Sequence, residues 1–184
     1  MKIVSNLKDK AVVFDRDGTL IHHEHYLYDY KKVKIFEDVS HVLKSLKKRG
    51  ALIFMHTNQS IVSRGIAGID EVKKCNTELI RQINLGSDIF EDICIATEII
   101  FNEDNYRKPS TRFGKEILNN YNIDKKNLYY IGDNFCDLET AHNLGCQGIG
   151  LNTGIGNLSN INKDSDLSRF PVCASLTEAL SLIK

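Results

Sequence analysis

Short apolar runs alternate along this chain with longer segments of helical spacing, and that alternation limits the folds open to it more than any other feature. Residues 11–14, 52–56, 93–96, 128–131 and 148–151 read as buried strands. Between them, residues 39–49, 70–85, 111–121 and 137–144 have helical spacing, and Ser175-x-x-Glu178 is a capping box that opens a last helix. Asp38 is placed to cap the first helix, while Gly50, Gly86 and Gly145 stand just past three helix ends. Strand and helix in strict alternation predict an α/β protein, a parallel sheet with helices on both faces. The polar stretch 157–168 reads as a surface loop.

The length of 184 residues fits a single domain over 1–184. Lysine plus arginine balance aspartate plus glutamate at 24 each, so no global basic field recruits nucleic acid. Met1 to Lys10 lacks the apolar segment of a signal peptide. No apolar run approaches the roughly 20 residues that span a bilayer, and no membrane partner is expected. Five scattered cysteines without a Cys-x-x-Cys pair argue against a disulfide framework or structural zinc and point to a reducing cytoplasm. Oligomeric state is left open.

In parallel sheets, ligands bind beyond the carboxyl ends of the strands, and the polar residues of this chain collect there. Asp15-Arg16-Asp17-Gly18-Thr19 follows the first strand. Residues two apart in extended chain point the same way, so Asp15 and Asp17 converge on one small volume, and Gly18 lets the chain turn behind them. Two carboxylates that close call for a cation, and Mg²⁺ with oxygen ligands is the usual one. A calcium loop is excluded, because Leu20 and Tyr26 stand where it needs Gly and Glu. His56-Thr57-Asn58-Gln59-Ser60 puts a hydroxyl and two amides after the second strand. Arg107-Lys108-Pro109 precedes the third helix, where two cations beside a helix N-terminus make an anion site. Gly132-Asp133-Asn134-Phe135-Cys136-Asp137 follows the fourth strand, with Asp137 placed to orient a partner or cap the helix. Each piece alone also fits a plain polar turn or a solvated helix start. Their joint order does not.

That order resembles the haloacid dehalogenase-like phosphohydrolases: Asp15-x-Asp17-Gly18-Thr19, Thr57, Lys108, then Gly132-Asp133-x-x-x-Asp137, over about residues 10–156. The resemblance implies a Rossmann-like core with the first strand between the second and fourth. The intervals between motifs are too short for a separate cap domain, so residues 22–30 would form part of a lid, with His23, Glu24, His25 and Tyr26 against substrate. It implies phosphomonoester hydrolysis through an aspartyl-phosphate, with Asp15 as nucleophile and Asp17 as acid and base. Thr57 and Lys108 would grip phosphate oxygens, and Asp137 would hold Lys108. Mg²⁺ would sit on the Asp15 and Asp133 carboxylates and the Asp17 carbonyl.

More narrowly, His25-Tyr26-Leu27, Thr57-Asn58-Gln59-Ser60, Arg64-Gly65, Arg107-Lys108-Pro109 and Thr153-Gly154-x-Gly156 are similar to histidinol-phosphate and D-glycero-D-manno-heptose-1,7-bisphosphate phosphatases. Asn58, Gln59, Ser60, Arg64, Arg107 and Asn134 then become candidate substrate contacts, the two arginines for a second phosphate. Of the four zinc-loop ligands of many heptose bisphosphatases only Cys94 stands here, with Ala96, Asp104 and Tyr106 at the other positions, so no zinc is expected. A metal site at His22, His23 and His25 is disfavoured because a mobile loop holds ligands poorly. A small phosphorylated sugar, foremost a heptose bisphosphate, is the expected substrate. Ala96-Thr97 and Tyr106-Arg107-Lys108-Pro109 also resemble polynucleotide 3′-phosphatases, which keeps a nucleic-acid end as the runner-up. A phospho-accepting receiver is the rival of another class, but Asp17 beside Asp15 suits turnover rather than storage of the phosphate.

Overall fold

A computed structural model describes residues 6–184, and the signal-peptide expectation for Met1 to Lys10 rests partly on residues outside that range. Six strands form one parallel sheet: β1 (Ala11–Phe14), β2 (Leu52–Asn58), β3 (Asp92–Ala96), β4 (Leu128–Gly132), β5 (Gln147–Leu151) and β6 (Val172–Cys173), in the order β3-β2-β1-β4-β5-β6. Val13 of β1 lies opposite Phe54 of β2 on one side and Tyr130 of β4 on the other. The sequence did not reveal β6, whose two residues are too few to show a period.

Strand alternation sends Val12 and Phe14 to one face and Ala11 and Val13 to the other. The first face is covered by α1 (Val39–Lys48), α2 (Ile69–Ile83) and α5 (Leu176–Leu182), through Val39, Leu43, Leu46, Leu79 and Ala179. The second is covered by α3 (Arg112–Asn120) and α4 (Phe135–Leu144), through Phe113, Ile117, Leu138 and Ala141. A strand buried on both faces reads as a continuous apolar run, and Ala11–Phe14 is buried throughout.

Several helix ends differ from the sequence reading. Asp38 is itself helical and makes no cap to α1; its Oδ2 accepts from Thr177 N at 2.8 Å and from Thr177 Oγ1 at 3.1 Å, at the start of α5. The α2 helix stops at Asn84, which takes the left-handed conformation two residues before Gly86. At α5, Ser175 Oγ accepts from Glu178 N, but Glu178 reaches back to Ala174 N rather than Ser175 N. The 157–168 stretch holds two short 3-10 turns and buries Leu158.

The chain runs β1 to β2 to β3 in one direction and returns at β4 on the other side of β1. This reversal opens the crevice where an open α/β sheet binds ligands, and Asp15 and Asp133 stand at its two lips.

Candidate active site

Asp15 leaves β1 still tied to the sheet, its N–H donating to Ile131 O at 2.9 Å. Gly18, at φ +84°, turns the chain directly behind it, and a Cβ there would lie 2.7 Å from the Asp133 carboxylate. In the turn, Gly18 N donates to Ile21 O and Ile21 N to Arg16 O, a pattern that bypasses the Asp17 carbonyl.

Lys108 is the hub. Its Nζ donates to Asp15 Oδ1 and to Asp137 Oδ1, both at 2.6 Å, with the lysine almost wholly buried. Burial works against the Lys108 ammonium, but Asp137 and Asp15 outweigh it and hold its pKa well above the usual lysine value. Burial pushes the Asp15 carboxyl up, with Lys108 opposing and Asp137, Asp133 and Asp17 adding to the rise. The main chain of Lys108 is pinned by Asn58, whose Oδ1 accepts from Lys108 N at 2.9 Å and whose Nδ2 donates to Lys108 O at 3.2 Å. Two residues earlier in β2, the buried His56 ring contacts Tyr106 O at 2.8 Å through Nε2. The loop bearing Lys108 is therefore stitched to β2 by alternate side chains of that strand.

Asp133 is buried after β4 and accepts from Ile155 N at 3.0 Å through Oδ2. Its pKa is raised chiefly by burial, then by Asp137. Ile155 belongs to the loop after β5, which is anchored by Thr153 Oγ1 donating to Gly18 O at 2.6 Å. Asp15, Asp133 and Asp137 offer oxygens that all lie within 4.8 Å of one another. Asp137 is already committed, since Oδ1 takes Lys108 and Oδ2 accepts from Asn134 N at 3.1 Å. Three carboxylates around one ammonium leave an excess of negative charge that suits a divalent cation on Asp15 and Asp133.

A cavity of 270 Å³ gathers Asp15, Asp17, His23, Thr57, Asn58, Arg107, Lys108, Asp133, Asn134 and Asp137, all expected from the sequence. It also brings in Cys136 and Ile155, which were not. Glu24, His25, Tyr26, Gln59 and Ser60 line an adjoining cavity of 160 Å³ that shares Asp17, His23 and Asn58 with the first. Arg64 lines neither; it is exposed, its Nε 3.4 Å from Ser60 Oγ, so the expected arginine pair reduces to Arg107. Asn134 does line the cavity, but its Oδ1 accepts from Cys136 N and caps α4, which therefore starts at Phe135 rather than at Asp137. Likewise α3 begins at Arg112, and Lys108 answers the carboxylates rather than that helix terminus.

Sequence reasoning passed over Arg16. It is 1 % exposed, and it grips the Asp17 carboxylate while its Nη1 donates to Asn76 Oδ1 on α2 at 2.9 Å. Asp17 Oδ2 also accepts from Gln59 Nε2 at 2.8 Å and Thr57 Oγ1 at 3.4 Å. The only hint was an arginine lodged between two aspartates. The Ile155 N–H left no side-chain signature, although Thr153-Gly154-x-Gly156 marked its loop.

The sequence profile of the polynucleotide kinase 3 phosphatase family matches residues 10–147. Among curated proteins, the histidine biosynthesis bifunctional protein HisB of Blochmanniella floridana is 31% identical over 146 residues, 78% of this chain and 41% of that one. The D-glycero-beta-D-manno-heptose-1,7-bisphosphate 7-phosphatase of Rhodopseudomonas palustris is 24% identical over 145 residues, 75% of this chain and 81% of that one. This chain thus spans about two-fifths of the bifunctional relative and most of the heptose phosphatase. A crystal structure of the D,D-heptose 1.7-bisphosphate phosphatase from B. bronchiseptica, complexed with magnesium and phosphate, superposes with a TM-score of 0.83 at 19% identity, covering 95% of this chain and 97% of that one. Among the described residues, no helix is long and apolar enough to cross a membrane.

Proposed function

This chain belongs to the polynucleotide kinase 3 phosphatase family, and on that premise we propose that it is a single-domain Mg²⁺-dependent phosphatase acting on a phosphorylated sugar, foremost a heptose bisphosphate. The observation that carries this reading is Lys108 bridging Asp15 and Asp137 at 2.6 Å each, in a cavity that also holds Asp133 and Thr57.

In this mechanism a carboxylate oxygen of Asp15 attacks phosphorus, and the bond from phosphorus to the sugar oxygen breaks. Asp17 gives its proton to the departing alkoxide, then takes one from the water that attacks the aspartyl-phosphate, which frees phosphate and restores both carboxyls. Lys108, steered by Asp137 and by the Asn58 clamp, stabilises charge on the phosphate oxygens along with the Thr57 hydroxyl. Asp15, Asp133 and the Asp17 carbonyl would hold Mg²⁺, which when bound neutralises repulsion between nucleophile and phosphate.

The heptose bisphosphatase among the relatives and the Arg107 side chain in the cavity favour a bisphosphate. The direct test is phosphate release from a heptose bisphosphate and from a 3′-phosphorylated oligonucleotide, with wild type, Asp15→Asn and added chelator. Activity on the sugar, lost in the variant and with chelator while the circular dichroism spectrum persists, is the expected result. Appreciable turnover by Asp15→Asn would overturn the covalent mechanism, and activity on the oligonucleotide alone would reassign the substrate.

A further inference from the structure

We propose that the catalytic cavity continues into a tyrosine-lined groove that takes a second, uncharged ring, so that phosphorylated disaccharides are hydrolysed here as well as the one-ring bisphosphate. The proposal rests on the phosphatase reading and extends it.

The path is continuous. The catalytic cavity shares Asp17, His23 and Asn58 with its neighbour, and that neighbour shares residues 24–27 with a groove of 570 Å³. This volume falls inside the roughly 300–1,000 Å³ of small-molecule sites. Tyr26, Tyr28 and Tyr30 line it at alternate positions and are 38%, 49% and 44% exposed, and Ile66 faces them from the turn after β2.

Their exposure is built into the loop. Leu27, between Tyr26 and Tyr28, and Val33, beyond Tyr30, are buried in the core. Ile21 pairs with Ile35 across the base of the loop. Gln82 of α2 donates to Val33 O at 2.8 Å and accepts from Ile35 N at 3.2 Å. Tyr26, which lines both the neighbouring cavity and the groove, has φ +52°. A bulky residue in the left-handed region is uncommon, and such outliers cluster at ligand clamps. A ring-bearing ligand meets preset aromatic surfaces without an ordering cost.

The charge of the groove selects against a second phosphate or a phosphodiester. Lys32 and Glu24 pair with each other, which leaves the Asp29 and Glu71 carboxylates against the single cation Lys74. Carboxylates accept hydroxyl hydrogen bonds, and tyrosine offers an apolar face with a polar tip. Together they suit a hydroxyl-rich ring, whereas the remote phosphate of a bisphosphate belongs at Arg107, in the catalytic cavity.

The test compares wild type and Tyr28→Ala on trehalose 6-phosphate and sucrose 6-phosphate, on glucose 6-phosphate, and on p-nitrophenyl phosphate. Wild type should show kcat/KM at least tenfold higher on a disaccharide phosphate than on the monosaccharide phosphate. Tyr28→Ala should erase that difference and change p-nitrophenyl phosphate turnover less than twofold. Saturation-transfer NMR of the unphosphorylated disaccharides on Asp15→Asn protein gives a readout free of catalysis, with signal expected in Asp15→Asn and lost when Tyr28→Ala is added. Equal kcat/KM on all sugars, or equal losses on all esters, overturns the groove assignment. So does a preference for a 3′-phosphorylated dinucleotide that Tyr28→Ala removes, which would put a nucleobase in the groove. Failure on p-nitrophenyl phosphate would instead sink the phosphatase reading, and the NMR signal would then decide the groove alone.

Discussion

Arg16 holds the side chain of its own neighbour, Asp17, in a two-pronged grip: Nε donates to Oδ2 and Nη2 to Oδ1, each at 3.1 Å. The guanidinium is anchored on the far side by Asn76, so α2 sets the direction of the carboxylate assigned to proton transfer. That transfer matters most when the leaving group is a poor one. Arg16→Gln should lower kcat about tenfold or more on an alkyl phosphate, about 1.4 kcal/mol. It should lower kcat far less on p-nitrophenyl phosphate, whose leaving group needs no proton. Asn76→Ala, a milder change, should show the same bias at smaller size. Equal losses on both esters would mean that Arg16 is only structural.

Arg107 reaches the cavity while its Nη1 donates to Glu98 O at 3.1 Å, which fixes its reach without neutralising it. Arg107→Ala should cost about tenfold or more in kcat/KM on a heptose bisphosphate and much less on the corresponding monophosphate. A matching loss on the monophosphate would remove the second-phosphate role.

Gly154 packs against the Asp133 carboxylate so closely that a Cβ would collide with it. Gly154→Ala should displace Asp133 or break its bond from Ile155 N. The Mg²⁺ concentration giving half-maximal activity should rise about tenfold, with thermal unfolding little changed because the loop lies outside the core. An unaltered Mg²⁺ requirement would show that Asp133 is not a ligand.

Burial, with Lys108 adding to it, pulls the His56 pKa down to about 3 from its usual 6.5. Between those values the unfolded chain binds a proton that the folded chain refuses. The His56 contribution is therefore whole above about pH 6.5 and falls as pH drops toward 3, by at most about 5 kcal/mol. Burial raises the Asp15 pKa and so works in the opposite direction, and the His56 part is therefore read by difference. Denaturant unfolding at pH 7 and pH 4.5 should show a smaller acid loss for His56→Gln than for wild type. Identical losses would mean that His56 does not govern the acid limb.

Much of this architecture was legible because its causes are local. Ala11–Phe14 is apolar throughout since both faces of β1 are covered, and the acids that follow it had to stand at a strand end. The resemblance of four motifs to a phosphohydrolase family implied one crevice for Asp15, Lys108, Asp133 and Asp137, and their side chains do meet. What escaped was set at long range or by backbone. Asp38 looked like the cap of its own helix and instead bonds Thr177 from the far end of the chain. Arg64 is one turn too far along to enter the cavity that Ser60 lines. The Ile155 donor is a main-chain N–H, and any residue but proline would supply it.

The placing of β1 between β2 and β4 also orders events in time. Asp15 is made well before Ile131 and Lys108, which secure its main chain and its side chain. Pairing across so long a separation closes late in folding. A nascent or truncated chain that ends before β4 thus carries the proposed nucleophile without the lysine hub's partner Asp137 or the Asp133 oxygen. On the proposed mechanism, reactivity then arrives only with the finished sheet.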